Sequence, residues 1–516
     1  MVSKTSYYFG MQILLVFIFT ILLHLGTFAG LDTDFQAYAL YSKLIWNGQI
    51  PYVDFFSHKP PLYFYLLLPG NMTGGSLFSF FAVHLICVSL LNCLIFYYAA
   101  NMRKEYSLIR GVYAWLFFNM ITVVQFFGYG NLNGSIVYVS IGFNLISFIL
   151  LATVKTNIEA GRDNLLLVFF AGVCSGLSFL TRFGMAPNII FIMLLMYLIF
   201  QKKYSGKDII ALTVCYGIGF FIPVAVILYV LGFPFKIIYE QLIVYNSLYS
   251  HLGKSTFALL QIFGRPLIYG VYLIKYAKPL IIICFLALSY SLYANKKEDG
   301  KFVFIKNANR LFKNSVVVWL VIYLLAELFM VALQGTGLKQ YPFFAVFVPL
   351  SLLAALSLEY IIKINKILSS QFVFRIFVTL FLIQFGVAFY HAGDRLVSVL
   401  KWPESQLASE IKRYAKNNHD LFTLNFQGYI YLETGLIPPV TRNCYIDSHW
   451  NYFDKRPDLE RYIWQGLEDN LPAVVTRAVK NTIPDSAVLF MSHYREVGVY
   501  PTNYSGDTML YIRKEL

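Results

Sequence analysis

The sequence contains little charge for its length. Charged residues make up 13% of its 516 residues, whereas the set AVILMFWYC makes up 58%. Soluble domains carry roughly 25% charged residues, and chains beyond about 250–300 residues divide into several domains rather than enlarge one core. The composition therefore excludes an ordinary soluble globular protein and predicts a chain inserted in a lipid bilayer.

Other features that would indicate a soluble function are also missing. Five of the six cysteines lie within apolar runs and only Cys444 lies outside them, so neither a disulfide framework nor a cysteine-rich metal site is expected. The net charge of +14 is not gathered in a Lys/Arg run of the nucleic-acid-binding kind. No inverted internal repeat of the kind found in many transporters is present.

The sequence instead has a long series of apolar runs. A transmembrane helix needs about 20 mostly apolar residues. About eleven segments meet this requirement, near 9–29, 77–100, 108–127, 135–154, 164–181, 186–200, 209–232, 275–294, 316–334, 343–362 and 372–391.

The basic residues predict an orientation for these spans. With a cytoplasmic N-terminus, the cytoplasmic gaps contain clusters of Lys and Arg residues, as in 202–207 and 296–313. The short outside gaps contain only Arg182 and Lys339. This asymmetry follows the positive-inside rule, and an odd number of spans then places the C-terminus outside.

Two outside segments are long: residues 30–76 and the tail from 392 onward. The tail is more polar, is punctuated by proline and is long enough to form a small domain. Its segment 407–415 has helical spacing, and strands are expected at 421–426, 487–491 and 509–512. The predicted fold is an all-α polytopic membrane domain, residues 1–391, followed by a small C-terminal α/β domain, residues 392–516.

Residues 30–76 carry polar groups close to the bilayer surface. Asp32 and Asp34 follow the first span almost at once, and either would cap the helix expected up to residue 47. That helix has an apolar stripe formed by Phe35, Tyr38, Ala39 and Ile45. Pro60 and Pro61 are expected to open a second short helix at 62–68, because proline is tolerated in a first helical turn.

These motifs resemble a known family. An acidic residue after the first span, a tyrosine four positions later, then Gly48-x-x-Pro-Tyr-x-Asp54 and Lys59-Pro-Pro-Leu62 are similar to the first periplasmic loop of C-type glycosyltransferases. The most similar patterns are those of bacterial aminoarabinose transferases and protein O-mannosyltransferases. Weaker similarities are the segment 176–182, which resembles the family's G-L-x-x-L-T-K, and 337–342, which resembles its basic-x-Tyr segment.

The resemblance implies a multi-pass protein of the bacterial cytoplasmic (inner) membrane with an extracytoplasmic tail. It implies an enzyme that moves a hexose or pentose from a polyprenyl-phosphate donor to a lipid, glycan or protein acceptor. Asp34, by its spacing to Tyr38, matches the family's catalytic aspartate, which would deprotonate the acceptor hydroxyl. Asp32 would share or support that role. The resemblance leaves the use of a divalent cation open, since family members differ.

Further residues of the site follow from the need to bind a membrane-bound phosphate. Cations in the outside segments near the bilayer would hold the carrier phosphate, and other polar residues of the motifs would contact substrate. The expected substrate-binding residues are Lys59, Tyr38, Asp54, Arg182, Lys339 and Tyr341.

Simpler roles stay open for the same residues. Asp34 and Asp32 would serve as helix caps and Asp54 as a turn residue, while Lys59 would snorkel to the membrane interface. Arg182 and Lys339 would be interfacial anchors. Glu327 lies inside the ninth apolar segment and should face protein or water, because an intramembrane carboxylate is costly.

Two other functions are compatible with many spans. A transporter or lipid flippase predicts charged or broken helices at mid-membrane, whereas the distinctive polar residues here cluster at one surface. A polysaccharide polymerase or ligase has its large outside loop late in the chain, and here that loop comes first. Phe35, Ala37 and the stretch Asn131-Leu-Asn133 depart from the patterns of the family and of its aminoarabinose enzymes, which argues against an assignment to lipid A or aminoarabinose but not against the general chemistry.

Overall fold

The computed structural model describes most of the chain in separate ranges. These are 4–25, 33–103, 106–122, 136–159, 164–183, 185–200, 205–244, 315–334, 344–364, 405–417, 419–424, 427–439, 471–480, 487–502 and 507–516, with a few short pieces between them. The predicted site residues Asp32, Lys339 and Tyr341, and the domain boundary near 392, lie outside the described residues.

Long apolar helices form the bulk of the described structure. They are α1 (Lys4–Leu25), α5 (Leu77–Asn101), α6 (Leu108–Thr122), α7 (Val137–Glu159), α8 (Leu165–Arg182), α9 (Ala186–Phe200), α10 (Gly206–Val230), α12 (Ser315–Gln334) and α13 (Phe344–Ile364). Nine of the eleven apolar segments therefore coincide with helices. The segments near 275–294 and 372–391 lie almost entirely outside the described residues.

Length and composition show which of these helices are able to cross a membrane. Within the described ranges, five helices are long and apolar enough, with spans at Tyr8–Leu25, Leu77–Asn101, Val137–Asn157, Leu165–Arg182 and Gly206–Val230. Shorter apolar helices lie at Ala186–Phe200, Val316–Met330 and Ala345–Glu359. The chain thus has the helical make-up of a multi-pass membrane protein.

Helices α8 and α10 pack with their backbones close together. The α8 glycines Gly172 and Gly176 face α10, where an added Cβ would clash with the carbonyl groups of Tyr216 and Phe220. Gly219 of α10 would clash in the same way with the backbone of α8. Small residues four positions apart permit such close helix packing in membranes.

The few ionisable side chains among these helices are satisfied by protein groups. Glu327 of α12 is 3% exposed and accepts a 2.8 Å hydrogen bond from the Asn144 amide. The Ser178 hydroxyl donates to the Asn144 carbonyl oxygen at 2.5 Å, so the network joins α12, α7 and α8. The prediction that Glu327 faces protein or water is confirmed.

A buried ion pair joins α6 and α13. Arg110 is 1% exposed, and its Nη1 lies 2.8 Å from Glu359 Oε2. Its other guanidinium nitrogens donate to the carbonyl groups of Ala99 and Ala100 at the end of α5. Because its partners lie on α5 and α13, this arginine of α6 links the three helices.

The described part of the loop between α1 and α5, residues 33–76, contains three helices. They are α2 (Thr33–Trp46), α3 (Leu62–Leu66) and α4 (Pro69–Met72), so both predicted helices of this loop are confirmed. Ser76 caps α5 by accepting a hydrogen bond from the Ser79 amide at 3.1 Å. After α10, a short helix α11 (Phe235–Ile238) continues into a π-helical turn at Tyr239–Val244.

The tail forms a small α/β unit. Its elements are α14 (Gln406–Tyr414), β1 (Leu421–Thr423), α15 (Gly428–Thr434), β2 (Val474–Ala478), α16 (Val488–Met491), β3 (Tyr494–Tyr500) and β4 (Thr508–Arg513). The strand order is β1-β2-β4-β3. Strands β1 and β2 are parallel, and β4 is antiparallel to both of its neighbours.

One predicted element of the tail is wrong. Residues 487–491 were expected to be a strand but form a helical turn. Ala487, Phe490 and Met491 are buried while Val488 and Leu489 are exposed. Burial at i, i+3 and i+4 is the pattern of a helix, whereas a half-buried strand alternates. The helix at 407–415 and the strands near 421–426 and 509–512 are confirmed within a few residues.

Candidate functional site

The structure brings together two of the predicted site residues, Asp34 and Lys59. Asp34 lies in the first turn of α2, and Lys59 lies in the stretch that leads into α3. Lys59 Nζ is 3.4 Å from Asp34 Oδ2, with 26% and 46% of the two side chains exposed. A carboxylate and an ammonium group from residues 25 positions apart in the sequence are therefore neighbours, and both are partly exposed to solvent.

An aromatic layer beneath this pair fixes α2 against α3. Tyr38 is 2% exposed, and its ring centroid lies 5.2 Å from that of Tyr63 and 6.0 Å from that of Phe64. Tyr41 of α2 stacks on Phe55 at 5.1 Å. Such pairs contribute about 0.5–1.5 kcal/mol each beyond the area they bury, so the backbone that carries Asp34 is held firmly.

Tyr38 packs beneath the site, where its ring supports the contact between α2 and α3. Sequence reasoning put it among the substrate-binding residues, and the structure buries its ring between α2 and α3. Below it, the Tyr63 hydroxyl and His84 Nδ1 are 2.8 Å apart. His84 in turn lies edge-on to Phe35, with ring centroids 5.6 Å apart. No sequence motif pointed to His84.

Asp54 closes a turn. Its Oδ2 accepts a hydrogen bond from the Ile50 amide at 2.7 Å, and the Asp54 amide donates to the Ile50 carbonyl at 2.9 Å. The carboxylate is thus engaged with the local backbone four residues earlier. This geometry matches the turn role that the sequence left open for Asp54.

Arg182 lies in the last turn of α8. The helix ends at Phe183, which adopts the left-handed conformation with φ 54° and donates its amide to Phe179 and Ser178. Helix α8 contacts α3, the helix that directly follows Lys59. A cation at a helix C-terminus interacts favourably with the helix dipole.

The tail rests on the helix that carries Asp34. Lys43 Nζ donates to the Tyr431 carbonyl of α15 at 3.2 Å, and Gln36 Oε1 accepts from the Tyr429 amide at 3.4 Å. Desolvation and the nearby Lys412 lower the pKa of Lys43 from 10.5 to about 8. Neither Gln36 nor Lys43 was singled out from the sequence, because nothing in a single chain indicates which residues a distant segment will contact.

The chemistry of the site rests on one carboxylate beside one ammonium group. Across the described part of the chain, no three His, Cys, Asp or Glu side chains are grouped so that they would hold a metal ion. The arrangement of Asp34 and Lys59 is suited to accepting a proton beside a bound anion.

Comparison with known proteins identifies the fold. No protein-family model matches the sequence, and no curated protein matches it significantly. The structure is similar to the crystal structure of ArnT from Cupriavidus metallidurans bound to undecaprenyl phosphate, with a TM-score of 0.57 and 12% identity over 98% of each chain. The apo state of the same protein gives a TM-score of 0.55, again with 12% identity over 98% of each chain.

The structural similarity covers nearly the whole of both chains. It therefore extends well beyond the first-loop motifs on which the family resemblance was based. At 12% identity it concerns the fold. The resemblance seen in the sequence is therefore confirmed at the level of architecture: this chain shares the fold of the ArnT structure.

Proposed function

We propose that this protein transfers a sugar from a polyprenyl-phosphate donor to an acceptor hydroxyl, with Asp34 as the general base. The observation that carries the proposal is the 3.4 Å contact between Asp34 Oδ2 and Lys59 Nζ. It places a proton acceptor next to a cation suited to a phosphate ester. The fold adds support, since the similar ArnT structure is bound to undecaprenyl phosphate.

The geometry suits a direct displacement at the sugar. Lys59 carries three N–H donors, so it can contact Asp34 and a phosphate oxygen together. With each N–O distance near 3 Å, that phosphate oxygen would lie within about 6 Å of the Asp34 carboxylate. The acceptor oxygen then forms a bond to the anomeric carbon, its proton passes to Asp34, and the bond from that carbon to the phosphate breaks. Polyprenyl phosphate leaves.

Arg182 is the second phosphate contact in this proposal, because it is a cation in the last turn of α8, a helix that contacts α3. Asp32, Lys339 and Tyr341 complete the proposed site from outside the described residues. Exposure of half the Asp34 side chain leaves room for an acceptor to approach. The transferred sugar is a hexose or pentose, and the acceptor is a lipid, a glycan or a protein.

The proposal also places the reaction on the outer face of the bacterial cytoplasmic membrane, motivated by the asymmetry of Lys and Arg along the sequence. Residues 1–391 then form the membrane domain and residues 392–516 an extracytoplasmic domain. The contacts of Lys43 and Gln36 with α15 support an arrangement in which that domain packs on α2, the helix of the proposed base. An acceptor bound between them would reach Asp34.

Release of the carrier distinguishes this function from its alternatives. Purified protein would be mixed with lipid extract containing polyprenyl-phosphate sugars and with a cell-envelope fraction as acceptor, and free polyprenyl phosphate would be measured by mass spectrometry. A glycosyltransferase releases it in step with loss of the sugar lipid, and Asp34→Asn abolishes the release. A flippase returns the sugar lipid intact, which would refute the proposal.

A further inference from the structure

Tyr52 adopts an unusual backbone conformation next to the candidate site. Its φ is 69°, in the left-handed region that large side chains rarely occupy. Its side chain is nonetheless almost fully buried, at 1% exposure. Strained residues of this kind persist only where the surroundings hold them, and they concentrate at functional sites.

The conformation of Tyr52 places its hydroxyl on the backbone of Lys59. The hydroxyl donates to the Lys59 carbonyl at 2.7 Å, and the Lys59 amide donates to Ser57 Oγ at 3.2 Å. Both backbone groups of Lys59 are therefore fixed. Burial raises the pKa of Tyr52 well above 10, so its hydroxyl keeps the proton that this hydrogen bond needs.

Gln241, in the π-helical turn after α11, braces the same loop. Its Nε2 donates to the Tyr52 carbonyl at 2.8 Å, and its Oε1 accepts from the Ser57 amide at 2.9 Å. The Gln241 side chain thus binds both ends of the turn that precedes Lys59, at Tyr52 and Ser57. It lies 189 residues further along the chain than Tyr52.

The ring of Tyr52 also connects this loop to the end of α8. It forms a small apolar cluster with Leu231 and Leu242, and Phe183 packs against that cluster. Phe183 directly follows Arg182, and it too has a positive φ. The same tyrosine therefore fixes Lys59 through its hydroxyl and contributes through its ring to the cluster that supports the end of α8.

We propose that Tyr52 is a positioning residue that aims Lys59 at the carrier phosphate, with Gln241 bracing the turn between them. This inference rests on the proposed function. Glycine is the ordinary residue at a positive φ, but it has neither the hydroxyl that reaches Lys59 nor the ring that completes the apolar cluster.

The test measures binding of undecaprenyl phosphate to purified full-length protein in detergent by native mass spectrometry. Tyr52→Phe keeps the ring and removes only the hydroxyl. Loss of one hydrogen bond that orients a ligand-binding group should weaken binding roughly three- to tenfold. If Tyr52 acts through Lys59, the same substitution in a Lys59→Ala background should weaken binding no further, as expected for coupled residues.

Tyr494→Phe is a matched control. The Tyr494 hydroxyl is likewise a buried group that donates to a backbone carbonyl, that of Pro472, at 2.8 Å, but it lies in the tail. Tyr494→Phe should lower stability to an extent similar to Tyr52→Phe while leaving undecaprenyl phosphate binding unchanged.

If Tyr52→Phe does not fold, Gln241→Met serves as the second variant. It removes both hydrogen bonds to the turn and should also weaken undecaprenyl phosphate binding.

The outcomes separate this inference from the proposed function. Weaker binding in Lys59→Ala with unchanged binding in Tyr52→Phe would overturn the inference alone. An equal loss from Tyr52→Phe with and without Lys59 would also overturn it, because the tyrosine would then act on the fold rather than through the lysine. Unchanged binding in Lys59→Ala would overturn the phosphate role of Lys59 and the inference together.

Discussion

Replacing Asp34 by asparagine tests the proposed base with little change in shape. Asparagine keeps the size and hydrogen-bonding oxygen of the side chain but does not take up a proton as a carboxylate does. The substitution removes the 3.4 Å ion pair with Lys59 and a negative charge from the first turn of α2. Neither loss should unfold the protein.

The structure gives the size of the structural effect. Because 46% of the Asp34 side chain is exposed, its ion pair contributes about 0.2–1 kcal/mol. Its interaction with the helix dipole contributes a further 0.3–1 kcal/mol or so. A general base, by contrast, is worth roughly 10²–10⁴ in rate, which corresponds to about 2.7–5.5 kcal/mol in the activation barrier.

The assay compares sugar transfer and thermal unfolding for purified wild-type protein and Asp34→Asn. Transfer should fall at least about a hundredfold while the unfolding midpoint changes little. Asp208→Asn is the matched control, because Asp208 is also an acidic residue in the first turn of a helix, α10. It should leave the rate of transfer near the wild-type value. Near-normal transfer by folded Asp34→Asn would refute the role of Asp34 and direct attention to Asp32.

Three further predictions follow from described contacts. Lys59→Ala should weaken use of the polyprenyl-phosphate donor and Lys59→Arg should restore part of it in donor titrations; an unchanged apparent affinity in Lys59→Ala would make the residue an interfacial anchor. Glu359→Gln should lower stability by about 3–5 kcal/mol, because it leaves the buried Arg110 charge without its ionised partner; an unchanged unfolding midpoint would contradict this. Lys43 has a pKa near 8 in the folded protein and about 10.4 when unfolded. Between these two pH values the unfolded state binds more protons than the folded state, so the free energy of unfolding should rise with pH across that window. Comparing thermal unfolding of wild type and Lys43→Met at pH 7.5 and 9.5 tests this, and an equal pH response in both would refute it.

Hydrophobic pattern was sufficient to predict the helices and the first loop. The apolar runs are long, and their lengths correspond to helices because backbone groups in a bilayer must be satisfied within the segment. Within the first loop, the position of Asp34 after a span and the prolines before α3 predicted α2 and α3 correctly. Asp34 was assigned to the site from the family resemblance and Lys59 from the need for a cation near the bilayer surface, but their direct contact was not predicted.

Contacts between segments far apart in the chain could not be predicted from the sequence. Gln241 donates a hydrogen bond to the Tyr52 carbonyl across 189 residues. No local pattern marks Gln241, and Tyr52 entered the sequence analysis only as part of the motif Gly48-x-x-Pro-Tyr-x-Asp54, with no role of its own. The positive φ of Tyr52 also contradicts ordinary turn chemistry, which favours glycine there. Residues 487–491 show the limit of short apolar runs, since helix and strand are difficult to distinguish over five residues.

The central claim is that this protein consumes a polyprenyl-phosphate sugar. The most direct test compares lipid-linked glycans, by mass spectrometry, in cells with and without the protein. Without it, one polyprenyl-phosphate sugar should accumulate and the same sugar should disappear from a lipid, glycan or protein fraction. Wild-type protein should reverse both changes, whereas Asp34→Asn should reverse neither. An identical pool of lipid-linked sugars with and without the protein would contradict the claim.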